Sequence, residues 1–255
     1  MNNIKVCLTP SLFPIYSDRT SVVVVVDVLR ATSAICTALE LGVESIIPVS
    51  TIEDALDFKD NDEYIIAAER NGKIVRGFDL GNSPTEYSNH SLKGKKMVLT
   101  TTNGTKAINF AKQDHLVVTG SFLNLKALSS FLVEMDKGII ILCAGWKNDY
   151  CLEDTLFAGA LTEQLIKSDK FYYDNDSTAS SLMLYEKAKD NLFDFLKDSQ
   201  HRKRLAHLGI ENDIRYCLEL NKSEVIPILK DNVLVSHSWK SLSYNVRCND
   251  WNIDA

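Results

Sequence analysis

The sequence predicts a three-layer α/β/α protein on a mostly parallel central sheet with a helical C-terminal extension, and three observations carry that expectation. Short β-branched runs alternate with helix-like stretches through the first two thirds of the chain, the pattern of parallel strands covered on both faces. One run, Val22-Val23-Val24-Val25-Val26, is apolar at every position, which suits a central strand buried on both sides and opposes helix. The 255 residues are 45% apolar and 24% charged, with 11 Gly and 5 Pro. That is enough for a large core and unlike a disordered or collagen-like chain.

In chain order, strands are expected at Ile4 to Leu8, Ser21 to Asp27, Ser45 to Val49, Tyr64 to Ala67, Met97 to Thr101, His115 to Thr119 and Ile139 to Cys143. Helices are expected between them at Ala31 to Leu41, Ile52 to Lys59, Thr105 to Lys112, Leu123 to Met135 and Leu152 to Lys167. Thr32-Ser33 and the acidic pair Glu153-Asp154 sit where helix starts favour capping oxygens and negative charge. After Phe171 the polar break Tyr172-Tyr173-Asp174-Asn175-Asp176 leads into helical patterning at Ala179 to Lys189, Leu192 to Leu196, His201 to His207 and Ile210 to Leu220. A last apolar run, Asn232 to Ser236, either returns as a strand or lies over the core. No Pro/Gly/Ser linker divides the chain, so residues 1–255 read as one domain, with a core over 1–167 and an extension over 168–255.

The 34 acidic and 28 basic residues give a net charge of −6, which excludes a whole-molecule attraction to nucleic acid or an anionic membrane. Ile139 to Ala144, the longest apolar run, is too short to span a bilayer. Six cysteines (Cys7, Cys36, Cys143, Cys151, Cys217, Cys248) form no C-x-x-C pair, and no leader pattern opens the chain. The expectation is a cytoplasmic protein with reduced thiols, with a homodimer as its ordinary assembly.

Ligands of open parallel sheets lie beyond the carboxyl ends of the strands, and four polar segments follow buried strands. Asp27-Val28-Leu29-Arg30-Ala31-Thr32-Ser33 offers a carboxylate for a hard cation and an arginine for a phosphate; the plain alternative is a helix cap paired with Arg30. Leu29 stands where a haloacid-dehalogenase-type phosphatase needs its second Asp. Glu69 to Pro84 gathers Glu69, Arg70, Arg76, Asp79, Asn82 and Ser83 among three glycines, with Pro84 at a helix start; a solvated loop is its alternative. Phe78 occupies the lysine position of a Walker A motif, so that motif fails. Thr101-Thr102-Asn103-Gly104-Thr105 has the hydroxyls, amide and glycine of an anion cradle, or of an ordinary cap. The fourth segment, Ala144 to Asp154 after the strand ending at Cys143, ends on Glu153 and Asp154, which could complete a carboxylate set with Asp27 and Glu69 or merely suit a helix dipole.

His90, His115, His201, His207 and His237 lack metal-ligand spacing and are assigned to surface or packing. Phe171, Tyr172, Tyr173 and Trp239 are assigned to core or interface. Neither G-x-G-x-x-G nor G-x-S-x-G occurs, which argues against a fingerprint dinucleotide site and an α/β-hydrolase.

Four segments in order, Val25 to Ser33, Glu69 to Gly72 with Gly77 to Pro84, Thr101 to Thr105, and Glu153-Asp154 before Ala158-Gly159-Ala160, resemble the 2-phosphosulfolactate phosphatases, the ComB family. The resemblance spans Ile4 to Ile166. It implies an α/β/α fold and a Mg²⁺-dependent hydrolysis of 2-phospho-3-sulfolactate to 3-sulfolactate and phosphate, a step of coenzyme M biosynthesis. It implies Mg²⁺ ligands among Asp27, Glu69, Asp154 and Glu153, with Arg30 and Arg70 on the phosphoryl oxygens. Arg76, Asp79, Asn82, Ser83 and the Thr101, Thr102, Asn103, Gly104, Thr105 cradle are then expected to bind the small phosphorylated, sulfonated acid. Attack by water and a phosphoenzyme on Asp27 both stay open. So do a phosphatase of another small acid and a non-catalytic binder of anionic metabolites.

Overall fold

The computed structural model describes residues 1–113 and 115–238; Trp239 and Cys248 lie outside them. In chain order the elements are β1 (Asn2–Cys7), α1 (Phe13–Tyr16), β2 (Val22–Val26), α2 (Ala31–Glu40), β3 (Ser45–Pro48), α3 (Ile52–Leu56), β4 (Tyr64–Arg70), β5 (Lys73–Ile74), α4 (Pro84–Tyr87), β6 (Lys96–Thr100) and α5 (Gly104–Ala111). There follow β7 (Val117–Gly120), α6 (Leu125–Met135), β8 (Ile139–Cys143), α7 (Leu152–Ile166), β9 (Phe171–Tyr172), α8 (Asp176–Ala188), α9 (Leu192–Phe195), α10 (Gln200–Leu205), α11 (Glu211–Cys217), β10 (Val225–Lys230) and β11 (Val233–Ser238). The fold is α/β with helices on both faces of a mostly parallel sheet.

The strand order is β5-β4-β6-β3-β11-β10-β7-β2-β8-β1-β9. One parallel block joins β4, β6 and β3; the other joins β7, β2, β8, β1 and β9. Between them lies the antiparallel hairpin β10–β11, which meets β7 at Ile228↔Val118 and β3 at Leu234↔Ile46. The run Asn232 to Ser236 therefore takes its strand alternative. Its partner β10 contains Pro227, a residue that lacks a ladder N–H and disguises a strand in sequence.

The valine run behaves as its composition requires. Val22, Val24 and Val26 enter the core that contains Phe157, Leu161 and Phe131, while Val23 and Val25 enter the opposite core with Ile35, Leu99 and Ile108. All five are fully buried, and alternation across a strand makes β2 the partition between two hydrophobic layers. The polar residues that follow it are thereby held at the sheet's carboxyl end. The C-terminal extension is helical from α8 to α11, and α8 packs on α7 and β1.

Candidate active site

Each site residue is set by the end of an element. Asp27 follows the last valine of β2, and Thr32 braces it: the Asp27 N–H donates to Thr32 Oγ1 (3.1 Å), and the Asp27 carbonyl accepts from the Thr32 N–H (3.0 Å). The carboxylate itself receives only a long contact from the Ala31 N–H (3.4 Å). Burial pushes the Asp27 carboxyl up to about 6; His201 opposes that rise, and the Glu69 and Glu153 carboxylates add to it.

Glu69 and Arg70 stand near the end of β4, and their side chains part. The chain reverses at Asn71-Gly72 (φ 56° and 81°), where two positive-φ residues make the two-residue hairpin turn that matches strand twist. That turn aims the Gly72 N–H at Glu69 Oε1 (2.5 Å), while the Thr102 N–H donates to Oε2 (3.1 Å) and the Thr102 hydroxyl lies 3.2 Å from both carboxylate oxygens. Arg70 instead donates to the Glu69 carbonyl (2.6 Å) and the Thr100 hydroxyl (2.9 Å).

Arg30 is buried and donates to Asp213 of α11 and to the Gly72 carbonyl (2.8 Å). The plain alternative of an Arg30–Asp27 pair is therefore not what forms. Asp213 Oδ1 also accepts from the Ser83 hydroxyl (2.8 Å) and the Thr85 hydroxyl (2.5 Å). Ser83 caps α4 with Pro84 at its first position, as the sequence predicts. One buried cluster thus joins the loop after β2, the β4–β5 turn, α4 and α11. The Leu29–Arg30 peptide within that loop is cis.

A cleft of about 20 Å³ is lined by Asp27, Arg30, Glu69, Asn82, Asn103, Trp146 and His201, with Leu29, Gly72 and Leu205 closing it. That volume admits one water-sized occupant. Asn82 is 5% exposed, and its Oδ1 has no hydrogen-bond partner among the described residues. Gly104 keeps the floor open: a Cβ there would lie 2.8 Å from Asp27 Oδ2 and 2.5 Å from the Ala31 Cβ. Two buried carboxylates and an unsatisfied amide oxygen around a space of this size are a donor set that fits a small, hard cation.

Of the remaining expected residues, Asn103 lines the cleft and the others lie outside its lining. Both Asp154 oxygens are taken by backbone, from the Val28 N–H (2.9 Å) and the Gly145 N–H (3.1 Å), so this carboxylate ties together the loops after β2 and β8. Burial beside Glu153 and Asp27 raises it well above the ordinary range. Thr101 and Thr105 satisfy each other at the start of α5, each N–H donating to the other's hydroxyl (3.0 and 3.1 Å). Asn103 Oδ1 accepts from the Lys147 N–H (3.0 Å). Asp79 Oδ2 accepts from the Ile66 N–H (2.9 Å) at the edge of the sheet. Arg76 is exposed, and neither it nor Arg70 lines the cleft.

Two cleft residues escape the sequence reading. His201, assigned there to surface or packing, is buried, with Nδ1 2.5 Å from Glu153 Oε1, and its ring lies against Trp146 at 5.7 Å between centroids. Burial acts to raise the Glu153 carboxyl, but the bond and charge of His201 outweigh it and hold it below the ordinary range. No spacing pattern announces His201, since it reaches the cleft only when α10 docks over the sheet end. Trp146 had one available signal, its position three residues beyond the expected strand Ile139 to Cys143. The Cys143 and Cys151 thiols are pushed far up by burial, which makes them packing residues rather than nucleophiles.

Comparison with known proteins gives the chain a family. The family model described as 2-phosphosulpholactate phosphatase matches residues 7–232. A protein of Caldanaerobacter subterraneus subsp. tengcongensis named "Probable 2-phosphosulfolactate phosphatase" is 40% identical over 215 residues, covering 83% of this chain and 89% of its own. Proteins of the same name from Thermotoga maritima (40% over 212 residues, 83% and 90%) and Picosynechococcus sp. (36% over 209 residues, 80% and 86%) are also similar. Among the described residues no helix is long and apolar enough to cross a membrane. The family match covers every element from α1 to β10 and all the cleft residues above, and on that evidence the chain belongs to the 2-phosphosulpholactate phosphatase family.

Proposed function

We propose that this protein hydrolyses 2-phospho-3-sulfolactate to 3-sulfolactate and phosphate, with Mg²⁺ held by Asp27, Glu69 and Asn82 Oδ1. The observation that carries this reading is that Asn82, whose buried side-chain oxygen has no hydrogen-bond partner among the described residues, lines the same small space as two buried carboxylates. An anion binder without a cation gains nothing from that arrangement, since both carboxylates repel its ligand. When bound, a divalent cation polarises phosphoryl oxygens and offsets their charge.

The protein's own groups do the rest. His201, oriented by Glu153 through Nδ1, is the residue we assign to giving a proton to the leaving sulfolactate oxygen as an attacking oxygen, of water or of Asp27 with later hydrolysis by water, bonds to phosphorus and the ester P–O bond breaks. Asp27 occupies the position closest in sequence and space to the strand end, and its loop is fixed from both sides by Thr32 and by the Asp154–Val28 bond. Arg30 acts as a positioning residue: with both ends of its guanidinium engaged, it holds Gly72, and through Gly72 the Glu69 carboxylate. Trp146 and Leu205 shield the cleft from bulk water, which strengthens every electrostatic interaction within it.

The test is phosphate release from a panel of small phosphorylated acids that includes 2-phospho-3-sulfolactate, with Mg²⁺ and with a chelator. Release from the sulfonated substrate that stops on chelation is the expected result. Release from none of the panel with Mg²⁺ present leaves the protein an anion binder.

A further inference from the structure

The 20 Å³ cleft is too small for a substrate, and next to it lies a cavity of about 640 Å³, within the range of small-molecule sites. Asn103 lines both, and Thr102, which holds Glu69, lines the larger one. Among the described residues, the charged ones that line it are Lys106 and Lys147. In a chain of net charge −6, a concavity lined by two lysines and, among the described residues, by no carboxylate is a local reversal of sign.

Lys106 and Lys147 are both exposed and reach this space from two different segments of the chain. Lys106 stands in the first turn of α5, which carries no acidic residue, although the helix dipole favours carboxylates there and opposes a cation. Lys147 has a left-handed backbone (φ 51°) and is anchored by its N–H on Asn103 Oδ1, with its ammonium 5.5 Å from the centre of the Trp146 ring. The loop after β8 and the start of α5 are thereby joined at the boundary of the two spaces. Phe110, 45% exposed, gives the larger cavity an apolar wall beside its cations.

We propose that Lys106 and Lys147 form a second anion site, which takes the sulfonate of the substrate while its phosphoryl group faces the carboxylate cleft. This deepens the phosphatase reading and rests on it. The pair then sets specificity, favouring phosphorylated acids with a second strong anion over the same skeleton without one. A charge-assisted hydrogen bond contributes about 1.5–3 kcal/mol, so removing the pair is expected to cost about 10- to 100-fold in discrimination.

The experiment compares wild type, Lys106→Gln, Lys147→Gln and the double variant on 2-phospho-3-sulfolactate and 2-phospholactate, which share every group except the sulfonate. Lys167→Gln, a change at an exposed ion pair with Glu163, serves as control. The proposal expects the ratio of kcat/KM values for the two substrates to fall 10- to 100-fold in the double variant, mainly through KM for the sulfonated one, and to hold in the control. An unchanged ratio overturns it, whether both rates fall together or neither moves. If wild type releases phosphate from neither substrate, the phosphatase reading fails and calorimetric titration with 3-sulfolactate decides the anion site. Binding at least tenfold weaker in the double variant than in wild type then upholds the site, and equal or absent binding removes it.

Discussion

Asp213 shows how much of a site depends on residues that never line it. Its carboxylate neutralises Arg30 and receives the Ser83 and Thr85 hydroxyls in a buried cluster, and Arg30 in turn holds the turn that positions Glu69. Breaking one member of a buried ion pair leaves the other charge uncompensated, at a cost of about 3–5 kcal/mol. Asp213→Ala is therefore expected to lower the unfolding free energy by that amount in urea, and Ser83→Ala by only about 1 kcal/mol, as for a lost cap. Equal effects from the two would remove the ion pair from the centre of the cluster. At this scale the sequence reveals acids that directly follow strands: Asp27 and Glu69 are legible because a buried β-branched run ends beside a charge. It hides pairings made across the chain: nothing near Arg30 in sequence announces Asp213, which α11 brings to it. His201 is hidden for the same reason, its role being decided by where α10 lies rather than by its neighbours in sequence.

At the scale of elements, turns and helix starts aim the site. The Asn71-Gly72 turn directs an N–H at Glu69, and the first residue of α5 lies against Asp27 because it is glycine. A methyl group at Gly104 meets the Ala31 Cβ at 2.5 Å and Asp27 Oδ2 at 2.8 Å, and neither neighbour is the far end of a flexible chain. Gly104→Ala is expected to cost about 1–3 kcal/mol by overpacking and to lower phosphate release at least tenfold, since α5 must move away from Asp27. A variant with normal turnover and a lowered melting temperature would show that the contact serves packing alone. These starts are readable in the sequence, where Ser83-Pro84 and Thr101 to Thr105 carry capping chemistry. The strand β10 is not, because Pro227 breaks its pattern and its place between β11 and β7 is set by long-range pairing.

Across the whole molecule, the C-terminal hairpin is what makes one sheet of two. The α/β class follows from the alternation of buried runs and helices, and the sequence shows that much; the insertion of β10–β11 between β7 and β3 depends on long-range pairing that no local pattern encodes. A chain ending at Glu224 would leave Val118 and Ile46 without their partners and expose two inner strand edges. Such a chain is expected to lose cooperative thermal unfolding and to aggregate; a soluble, cooperatively melting product would mean that each parallel block stands by itself. The charge distribution also acquires meaning at this scale. An acidic surface excludes polyanions, while the one cavity described above that is lined by lysines alone among charged residues adjoins the carboxylate cleft. The central claim, that the space beside Asp27 is where a phosphate ester is cleaved, is tested most directly by the rate of phosphate release from 2-phospho-3-sulfolactate by Asp27→Asn, measured with Mg²⁺ against wild type of matched circular dichroism. A loss of at least a thousandfold is predicted, and a near-normal rate would contradict the account.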